Sequence, residues 1–370
     1  MVRLLLVAGL STSLLWASAC STSDERETAA VTTATSAVAV TEPPVPDCSV
    51  ASECTTRELA DSVGVTLGTA VRADLQDDPT YRETLLATFN SITPEYELKW
   101  DAIHPRPDKW NFGPVDEIVA FARHHDLKVK GHALVWDQKL VDSTPDWVLQ
   151  ISDPAELRAV LTDHITTTMT RYAAAVDRWD VVNEPLETLG TAMYDNHFRQ
   201  VLGDSYLVEV FKIAHAAAPK EQLWLNEAAV EFQPAKVAAL VDLVKASLRQ
   251  GAPIDGVGIQ GHLVGGTVES DTLTRLIADL QSLGVEVAIT ELDVPARDPV
   301  NPLAVQADTY RKVFDACLSQ RCREVTLWGF TDRHTWIDDT LGTGLAPLPF
   351  DSEYHPKPAL AAIRNRLAAQ

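Results

Sequence analysis

Two glutamates in strand-like segments are the residues of this sequence whose types and surroundings best suit bond-breaking chemistry. Glu184 lies in the segment RWDVVNEP, and Glu291 lies in the segment VEVAITELDV. A pair of carboxyl groups can cut a glycosidic bond, because one protonates the leaving oxygen while the other attacks or stabilises the anomeric carbon. The two segments are far apart in the sequence, so the fold has to bring them together.

Apolar, strand-like runs alternate with helical stretches from Thr55 to the end of the chain. The capping-box pair Thr55 and Glu58 opens the first predicted helix. We predict eight strands, over residues 65–71, 91–95, 127–136, 178–185, 222–228, 256–262, 285–294 and 325–330. Eight β units separated by helices, in roughly 310 residues, predict a single (β/α)8 TIM barrel of the α/β class.

Polar residues fall at or near the C-terminal ends of six different predicted strands. They are Glu95, His132, Glu184, Glu227, His262 and Glu291. That end of a (β/α)8 barrel carries the active site. Since residues i and i+2 of a strand share a face, Gln260 can point into the same site as His262, and Asp293 into the same site as Glu291.

The order of these segments resembles glycoside hydrolase family 10, the endo-β-1,4-xylanase family. The resemblance depends on FNSITPEYELKW (89–100), KGHALVW (130–136), WDVVNEP (179–185), GVGIQGHL (256–263), ITELDV (289–294) and LWGFTDRHTW (327–336). These motifs occur in the order of the family and cover about residues 55 to 367. The resemblance implies a retaining hydrolase of β-1,4-linked xylan or a related polysaccharide. No motif indicates a metal or another cofactor, and hydrolysis needs only water.

The resemblance assigns Glu184 as the general acid/base and Glu291 as the nucleophile. Retention through a glycosyl-enzyme intermediate requires these carboxyl groups to lie about 5–5.5 Å apart. We expect His262 to keep Glu291 ionised and Asp293 to orient the His262 ring. The residues expected to bind sugar or to support the site are Glu95, Lys99, His132, Trp136, Asn183, Gln260, His262, Asp293, Trp328 and Trp336.

Several positions depart from the family pattern. Tyr96 stands where the family usually has Asn, Asp137 and Lys139 replace the usual His and Gln, and Glu227 replaces the usual Asp. The first three belong to the subsites that hold sugars on the non-reducing side of the cleaved bond. Either xylan still binds through the remaining contacts, or a substituted or different β-glycoside is the better substrate. The charges of Asp137 and Lys139 either pair with each other or contact such a substituent.

The net charge of −21 argues against nucleic acid or an anionic membrane surface as the main partner. It fits an enzyme that acts on a neutral or weakly cationic substrate, here a polysaccharide or oligosaccharide, and we expect a monomer. A competing hypothesis from another class is a cell-surface carbohydrate-binding protein without catalysis. The presence of both Glu184 and Glu291, with Asn183 and His262, argues against it.

The N-terminus has the pattern of an export signal. Arg3 precedes an apolar run over residues 4–10, and the small residues Ser18 and Ala19 lie directly before Cys20. We predict a signal peptide over residues 1–20, with Cys20 as a lipidation site, although Ala17 stands where lipoproteins prefer leucine. A Thr/Ala/Pro-rich disordered linker is predicted over residues 21–47, and the catalytic barrel over residues 48–370. The protein would be a membrane-anchored lipoprotein at the cell surface, or would be secreted.

Cysteine spacing agrees with export. Besides Cys20 the chain has two close pairs, Cys48 with Cys54 and Cys317 with Cys322. Exported proteins meet an oxidising compartment, so both pairs are predicted to form short-loop disulfides. Their spacings suit neither zinc binding nor thiol catalysis.

Overall fold

Eight parallel strands close into a barrel. The computed structural model describes residues 45–138 and 143–370. The strands are β1 (Thr66–Val71), β2 (Ser91–Pro94), β3 (Lys128–Val135), β4 (Val176–Asn183), β5 (Gln222–Glu227), β6 (Gly256–Ile259), β7 (Glu286–Leu292) and β8 (Glu324–Leu327). Each strand pairs with the next one in the sequence, and β8 pairs with β1. The predicted (β/α)8 barrel is therefore confirmed.

Helices lie between the strands and continue after the last one. They are α1 (Thr56–Ser62), α2 (Pro79–Thr88), α3 (Trp100–Ile103), α4 (Gly113–His124), α5 (Asp146–Leu149), α6 (Pro154–Tyr172), α7 (His197–Leu202), α8 (Tyr206–Ala217), α9 (Pro234–Arg249), α10 (Ser270–Gln281), α11 (Pro302–Ser319), α12 (Trp336–Leu341) and α13 (Pro358–Leu367). The capping box of Thr55 and Glu58 begins α1 as predicted. Asp78 and Asp153 cap α2 and α6, each followed by a proline that suits the first helical turn.

Several predicted strands are too long at their C-terminal ends. β2 ends at Pro94, β4 at Asn183 and β6 at Ile259, whereas the predictions ran on to residues 95, 185 and 262. The extra residues are mostly buried or partly buried, so their composition resembles that of a strand although the regular pairing has stopped. Glu184 and Gln260 therefore lie just beyond the ends of β4 and β6. Side chains from neighbouring strands can converge there.

Two glycines let the strands pack against large buried rings. Gly131 pairs with Trp179 between β3 and β4, and Gly256 pairs with Trp224 between β5 and β6. A Cβ atom at Gly131 would lie 2.2 Å from the Trp179 ring, and one at Gly256 would lie 2.3 Å from the Trp224 ring. Both tryptophans are almost completely buried. Any larger residue at either glycine would force the neighbouring strand to shift.

Both predicted disulfides are present. One joins Cys48 to Cys54 before α1, and the other joins Cys317 to Cys322 between α11 and β8. The predicted lipidation site at Cys20 lies outside the residues that the structure describes. Within those residues, no helix is long and apolar enough to cross a membrane.

Candidate active site

Backbone hydrogen bonds across the ends of four adjacent strands hold the two predicted catalytic glutamates on one rim of the barrel. The Glu184 amide donates to the carbonyl of Asn226 at 2.8 Å, and the Gln260 amide donates to that of Glu227 at 3.1 Å. The Glu291 amide in turn donates to the carbonyl of Gln260 at 2.7 Å. The chain of contacts runs from β4 through β5 and β6 to β7, so the barrel itself sets the relative positions of the two glutamates.

Glu291 is a buried carboxylate with a donor on each oxygen. Asn226 Nδ2 donates to Oε1 at 2.6 Å, and His262 Nε2 lies 3.1 Å from Oε2. Burial would raise the pKa of Glu291, but the charge of nearby His132 and the hydrogen bond from His262 outweigh it and bring the pKa to about 2. Glu291 is therefore ionised at neutral pH.

The His262 ring lies between two carboxylates. Its Nδ1 atom is 2.8 Å from Oδ2 of Asp293, and Trp336 Nε1 donates to the same oxygen at 2.8 Å. Burial would lower the pKa of His262, but Asp293 and Glu291 hold that pKa well above its usual value. A cationic ring fixed in this way keeps positive charge beside Glu291.

Glu184 has the opposite electrostatic surroundings. Gln260 Nε2 donates to its Oε1 atom at 2.9 Å, and Asn183 Nδ2 donates to the same atom at 3.3 Å. Burial raises the pKa of Glu184, the hydrogen bond from Gln260 opposes the rise, and the charge of Glu291 adds to it. The net direction is upward, which favours a protonated Glu184 next to an ionised Glu291.

The backbone of Glu184 is in a left-handed conformation, with φ of 52°. A non-glycine residue in this region costs on the order of 1–3 kcal/mol and persists only where its surroundings impose it. Two contacts with the end of β5 impose it here. The Glu184 amide bonds to the Asn226 carbonyl, and the Leu186 amide donates to Oε2 of Glu227 at 3.0 Å.

A buried charged group lies beneath the site. Oδ2 of Asp180 is 2.8 Å from His132 Nδ1 and 2.8 Å from Lys130 Nζ, and all three side chains are at most 1 % exposed. Burial would raise the pKa of Asp180, but Lys130 and His132 hold that pKa below its usual value. His132 Nδ1 also lies 4.0 Å from Oε1 of Glu291. The predicted site residue His132 is thus held by Asp180, which Lys130 contacts in turn, and the sequence analysis selected neither of these two residues.

The end of β2 brings Glu95, Tyr96 and Lys99 to one side of the cleft. Lys99 Nζ lies 4.8 Å from the centre of the Trp136 ring and 5.7 Å from that of Tyr96. Burial lowers the pKa of Lys99, and the charges of Glu291 and Glu95 oppose this. The Tyr96 hydroxyl donates to Asp101, and the Tyr96 side chain is 48 % exposed. The Tyr96 ring therefore lies beside Lys99.

Two tryptophans contact the histidines of the site. The Trp328 ring lies 5.0 Å from the His132 ring, and the Trp336 ring lies 4.8 Å from the His262 ring, centre to centre. Trp328 follows β8, and Trp336 is the first residue of α12. The structure thus brings Trp328 and Trp336 to the rim that carries Glu184 and Glu291.

Asp137 has a structural partner. Its Oδ2 atom accepts a hydrogen bond from the His197 amide at 2.7 Å, at the start of α7. Gln138 Nε2 donates to the Glu184 carbonyl at 3.4 Å. Lys139 lies outside the described residues, so the predicted alternatives for its charge stay predictions.

Asn226 is a site residue that the sequence analysis did not select. Its Nδ2 atom donates to Asn183 Oδ1 at 2.8 Å as well as to Glu291, and its Oδ1 accepts from Thr290 Oγ1 at 2.6 Å. Asn226 is completely buried. It connects Asn183, the residue before Glu184, with Glu291. The available signal was its position at the end of the fifth predicted strand, where the other site residues also occur.

A closed (β/α)8 barrel whose C-terminal rim carries two carboxyl groups, one with a raised pKa and the other with a lowered pKa, fits the class of glycoside hydrolases. Comparison with protein families narrows the class. Residues 55–366 match the model of glycosyl hydrolase family 10. The chain belongs to this family.

Similar proteins are named as xylanases. The chain is 35% identical to endo-1,4-beta-xylanase C of Phanerodontia chrysosporium, over 82% of this chain and 76% of that protein. It is 34% identical to endo-1,4-beta-xylanase B of Thermotoga neapolitana, over 84% of this chain and 90% of that protein. Among solved structures, native xylanase 10B from Thermotoga maritima superposes with a TM-score of 0.79 at 33% identity, covering 85% of this chain and 98% of that one. Xylanase 10B from Thermotoga petrophila, solved with xylobiose, has a TM-score of 0.79 at 32% identity, with coverages of 85% and 97%.

Proposed function

We propose that this protein is a retaining endo-1,4-β-xylanase with Glu184 as the acid/base and Glu291 as the nucleophile. The observation that carries the proposal is the opposite tuning of the two carboxyl groups: the pKa of Glu184 is raised, and that of Glu291 is lowered to about 2. Pairs of carboxyl groups tuned apart in this way take the acid and base roles of an enzyme. The names of the relatives supply the substrate class, a β-1,4-linked xylan.

In the first step, Glu184 gives its proton to the glycosidic oxygen while a Glu291 oxygen forms a bond to the anomeric carbon. The bond from that carbon to the glycosidic oxygen breaks, and the reducing-side sugar leaves with the proton. Asn183 contacts Glu184 directly and is connected to Glu291 by Asn226. Its side chain is therefore placed to bind the 2-hydroxyl of the sugar at the cleaved bond. A hydrogen bond there strengthens as positive charge develops on the sugar ring.

In the second step, Glu184 is ionised and takes a proton from water as the water oxygen attacks the anomeric carbon. The bond to Glu291 breaks, and the sugar keeps its original anomeric configuration. His262 then again faces an ionised Glu291, which restores the starting charge arrangement. The contact with His262 thus stabilises the ionised Glu291 at two stages. It does so before the attack on the sugar and again when Glu291 leaves the anomeric carbon.

Proton NMR of xylotetraose hydrolysis tests the proposal directly. The first product formed should be the β-anomer, with cleavage at internal bonds, and a Glu291→Ala variant should be inactive. A Glu184→Ala variant should lose far more activity on xylotetraose than on an aryl xylobioside with an activated leaving group, because the activated group needs no proton. Initial release of the α-anomer, or undiminished hydrolysis by Glu291→Ala, would refute the proposed roles.

A second candidate function is a β-glycosidase of the same fold that is specialised for a substituted or non-xylan substrate. The exposed Tyr96 ring beside Lys99, held by Asp101, favours this candidate, since it fills the position of a usual amide with an aromatic face. A panel of linear xylooligosaccharides, glucuronoxylan, arabinoxylan, aryl β-xyloside and aryl β-cellobioside separates the two. Rapid internal cleavage of linear chains supports the xylanase, and activity confined to substituted or aryl glycosides supports the specialised enzyme.

We further propose that the protein is exported, with a lipid on Cys20 holding it at the cell surface. The two disulfides support export, because such bonds persist in oxidising compartments. Detergent phase partition of the protein from its native host tests the lipid. The natural chain should enter the detergent phase, and a Cys20→Ser variant should stay in the aqueous phase. If the natural chain stayed in the aqueous phase as the Cys20→Ser variant does, the protein would be secreted without a lipid.

A further inference from the structure

Glu227 is a completely buried carboxylate next to the site that the proposed mechanism does not use. It ends β5, one residue after Asn226. Its Oε2 atom accepts from the Leu186 amide at 3.0 Å, and its Oε1 atom lies 3.0 Å from Lys236 Nζ on α9. Burying two charged groups is costly, and these contacts offset part of that cost.

Two partners of Glu227, the Leu186 amide and Lys236, contact the turn that follows Glu184. The third partner is the Ala228 amide, which donates to Oε1 at 3.0 Å. Lys236 Nζ donates to the Thr188 carbonyl at 3.3 Å, and Gln233 Nε2 donates to the same carbonyl at 2.9 Å. Together with the bond to the Leu186 amide, these contacts fix the chain just after Glu184. Because Glu184 is held in a left-handed conformation, its side-chain direction depends on this turn.

Charged and titratable groups from three elements act on Glu227. Burial raises the pKa of Glu227 to about 7, although the charge of Lys236 on α9 opposes the rise, and the charge of Glu184 adds to it. The Tyr206 hydroxyl of α8 is also within electrostatic range, and burial together with Glu227 raises the pKa of that tyrosine to about 12. Tyr206 is therefore neutral near pH 7, and Lys236 supplies the balancing charge.

We infer that Glu227 is a positioning residue, which aims the Glu184 carboxyl at the leaving oxygen by holding the Leu186 amide. The inference rests on the proposed acid/base role of Glu184 and adds a residue to it. Glu227 is one methylene longer than the Asp usual in the family, so its carboxylate reaches farther from β5 toward the turn. The step that depends on it is protonation of the leaving group.

Two double variants test the inference without leaving a buried charge unpaired. Glu227→Leu/Lys236→Met removes the acceptor for the Leu186 amide, and Glu227→Gln/Lys236→Met keeps an oxygen there. Apolar residues of similar volume often replace a buried ion pair without loss of stability, so both variants should fold. Each is compared with the natural chain on xylotetraose and on 2,4-dinitrophenyl β-xylobioside, whose leaving group needs no proton. The value of kcat/KM is measured, since it reports the steps through first bond cleavage.

Glu227→Leu/Lys236→Met should lose at least about tenfold in kcat/KM on xylotetraose and less than about threefold on the activated substrate, because general acid catalysis contributes about 10²–10⁴-fold. Glu227→Gln/Lys236→Met should stay within about threefold of the natural chain on both. Equal losses on the two substrates, or equal behaviour of the two folded variants, would overturn the positioning role. A natural chain that hydrolyses neither substrate would instead overturn the proposed function.

Discussion

The Nε2 atom of His262 lies 3.1 Å from an oxygen of Glu291, while the other ring nitrogen lies 2.8 Å from Asp293. Asp293 and Glu291 raise the pKa of His262, and His262 in turn lowers that of Glu291. Each group therefore favours the charged form of the other. The ring does not need to move a proton during catalysis to be useful, because its charge keeps Glu291 ionised.

Removing the His262 ring should move the acid limb of the pH profile. Glu291 has to be ionised to act as the nucleophile. Because its pKa is about 2, the enzyme should lose activity through protonation of Glu291 only at very low pH. A His262→Ala variant loses a hydrogen bond and a positive charge, so the pKa of Glu291 rises and the acid limb of kcat/KM moves up by about 1–3 pH units. The measurement is kcat/KM on an aryl xylobioside between pH 3 and 8.

His215→Ala is the matched control, because His215 is an exposed histidine of α8. It should leave both limbs in place. The alkaline limb of His262→Ala should also shift less than its acid limb, because Glu184 is tuned mainly by burial and by Gln260. An acid limb unchanged in His262→Ala would show that other donors keep Glu291 ionised.

Asp137 should matter for stability more than for substrate choice. Its carboxylate accepts the His197 amide at 2.7 Å at the beginning of α7. An Asp137→Ala variant should lose about 1 kcal/mol of unfolding free energy, as expected for a partly exposed hydrogen bond to a charged group. Urea denaturation measures this loss, and Asp137→Asn, which keeps an acceptor, should lose less.

The same variants decide whether Asp137 contacts the substrate. The ratio of kcat/KM on glucuronoxylan to that on linear xylan should be the same for the natural chain and Asp137→Ala. A changed ratio at unchanged stability would mean that Asp137 contacts a sugar substituent and that its bond to His197 is incidental.

The sequence was sufficient to predict the barrel, because its eight strands have strand composition. Glu184 and Glu291 could be selected as candidate site residues because each lies at the end of such a run. Strand ends were predicted less well: Gln260 and His262 look like strand residues, yet β6 ends at Ile259. Backbone hydrogen bonds continue beyond that point, from the Gln260 amide to Glu227 and from the Glu291 amide to Gln260, so the residue composition does not mark where the regular strand ends.

The contacts beneath the site could not be predicted in the same way. Asp180 and Lys130 lie in the middle of β4 and β3, and the sequence does not show which charged residue of another strand each one contacts. Their pairing depends on the register of two strands that are separated in the sequence by α5 and α6. The rule that residues i and i+2 share a face would place Lys130 beside His132, and only the register adds Asp180.

Tyr96 should limit the binding of linear xylooligosaccharides. A Tyr96→Asn variant restores the usual amide and removes the aromatic face beside Lys99. One added hydrogen bond is worth about 0.5–1.5 kcal/mol, so kcat/KM on xylotetraose should rise by about 2- to 10-fold, mostly through KM. Tyr96→Phe, which keeps the ring and loses the bond to Asp101, should stay close to the natural chain. A higher KM in Tyr96→Asn would show that the Tyr96 ring itself stacks on the sugar.

The two disulfides should differ in their effect on global stability although their loops are similar in length. In the chain-entropy description, closing so short a loop contributes about 2 kcal/mol. Cys317 and Cys322 are buried and connect α11 to β8, so Cys317→Ala/Cys322→Ala should lower the unfolding free energy by about that amount in urea. Cys48 and Cys54 are only partly buried and precede the barrel, so a segment freed there can open without unfolding β1 to β8. Cys48→Ala/Cys54→Ala should therefore cost less than half as much, and an equal cost would mean that the segment before α1 unfolds together with the barrel.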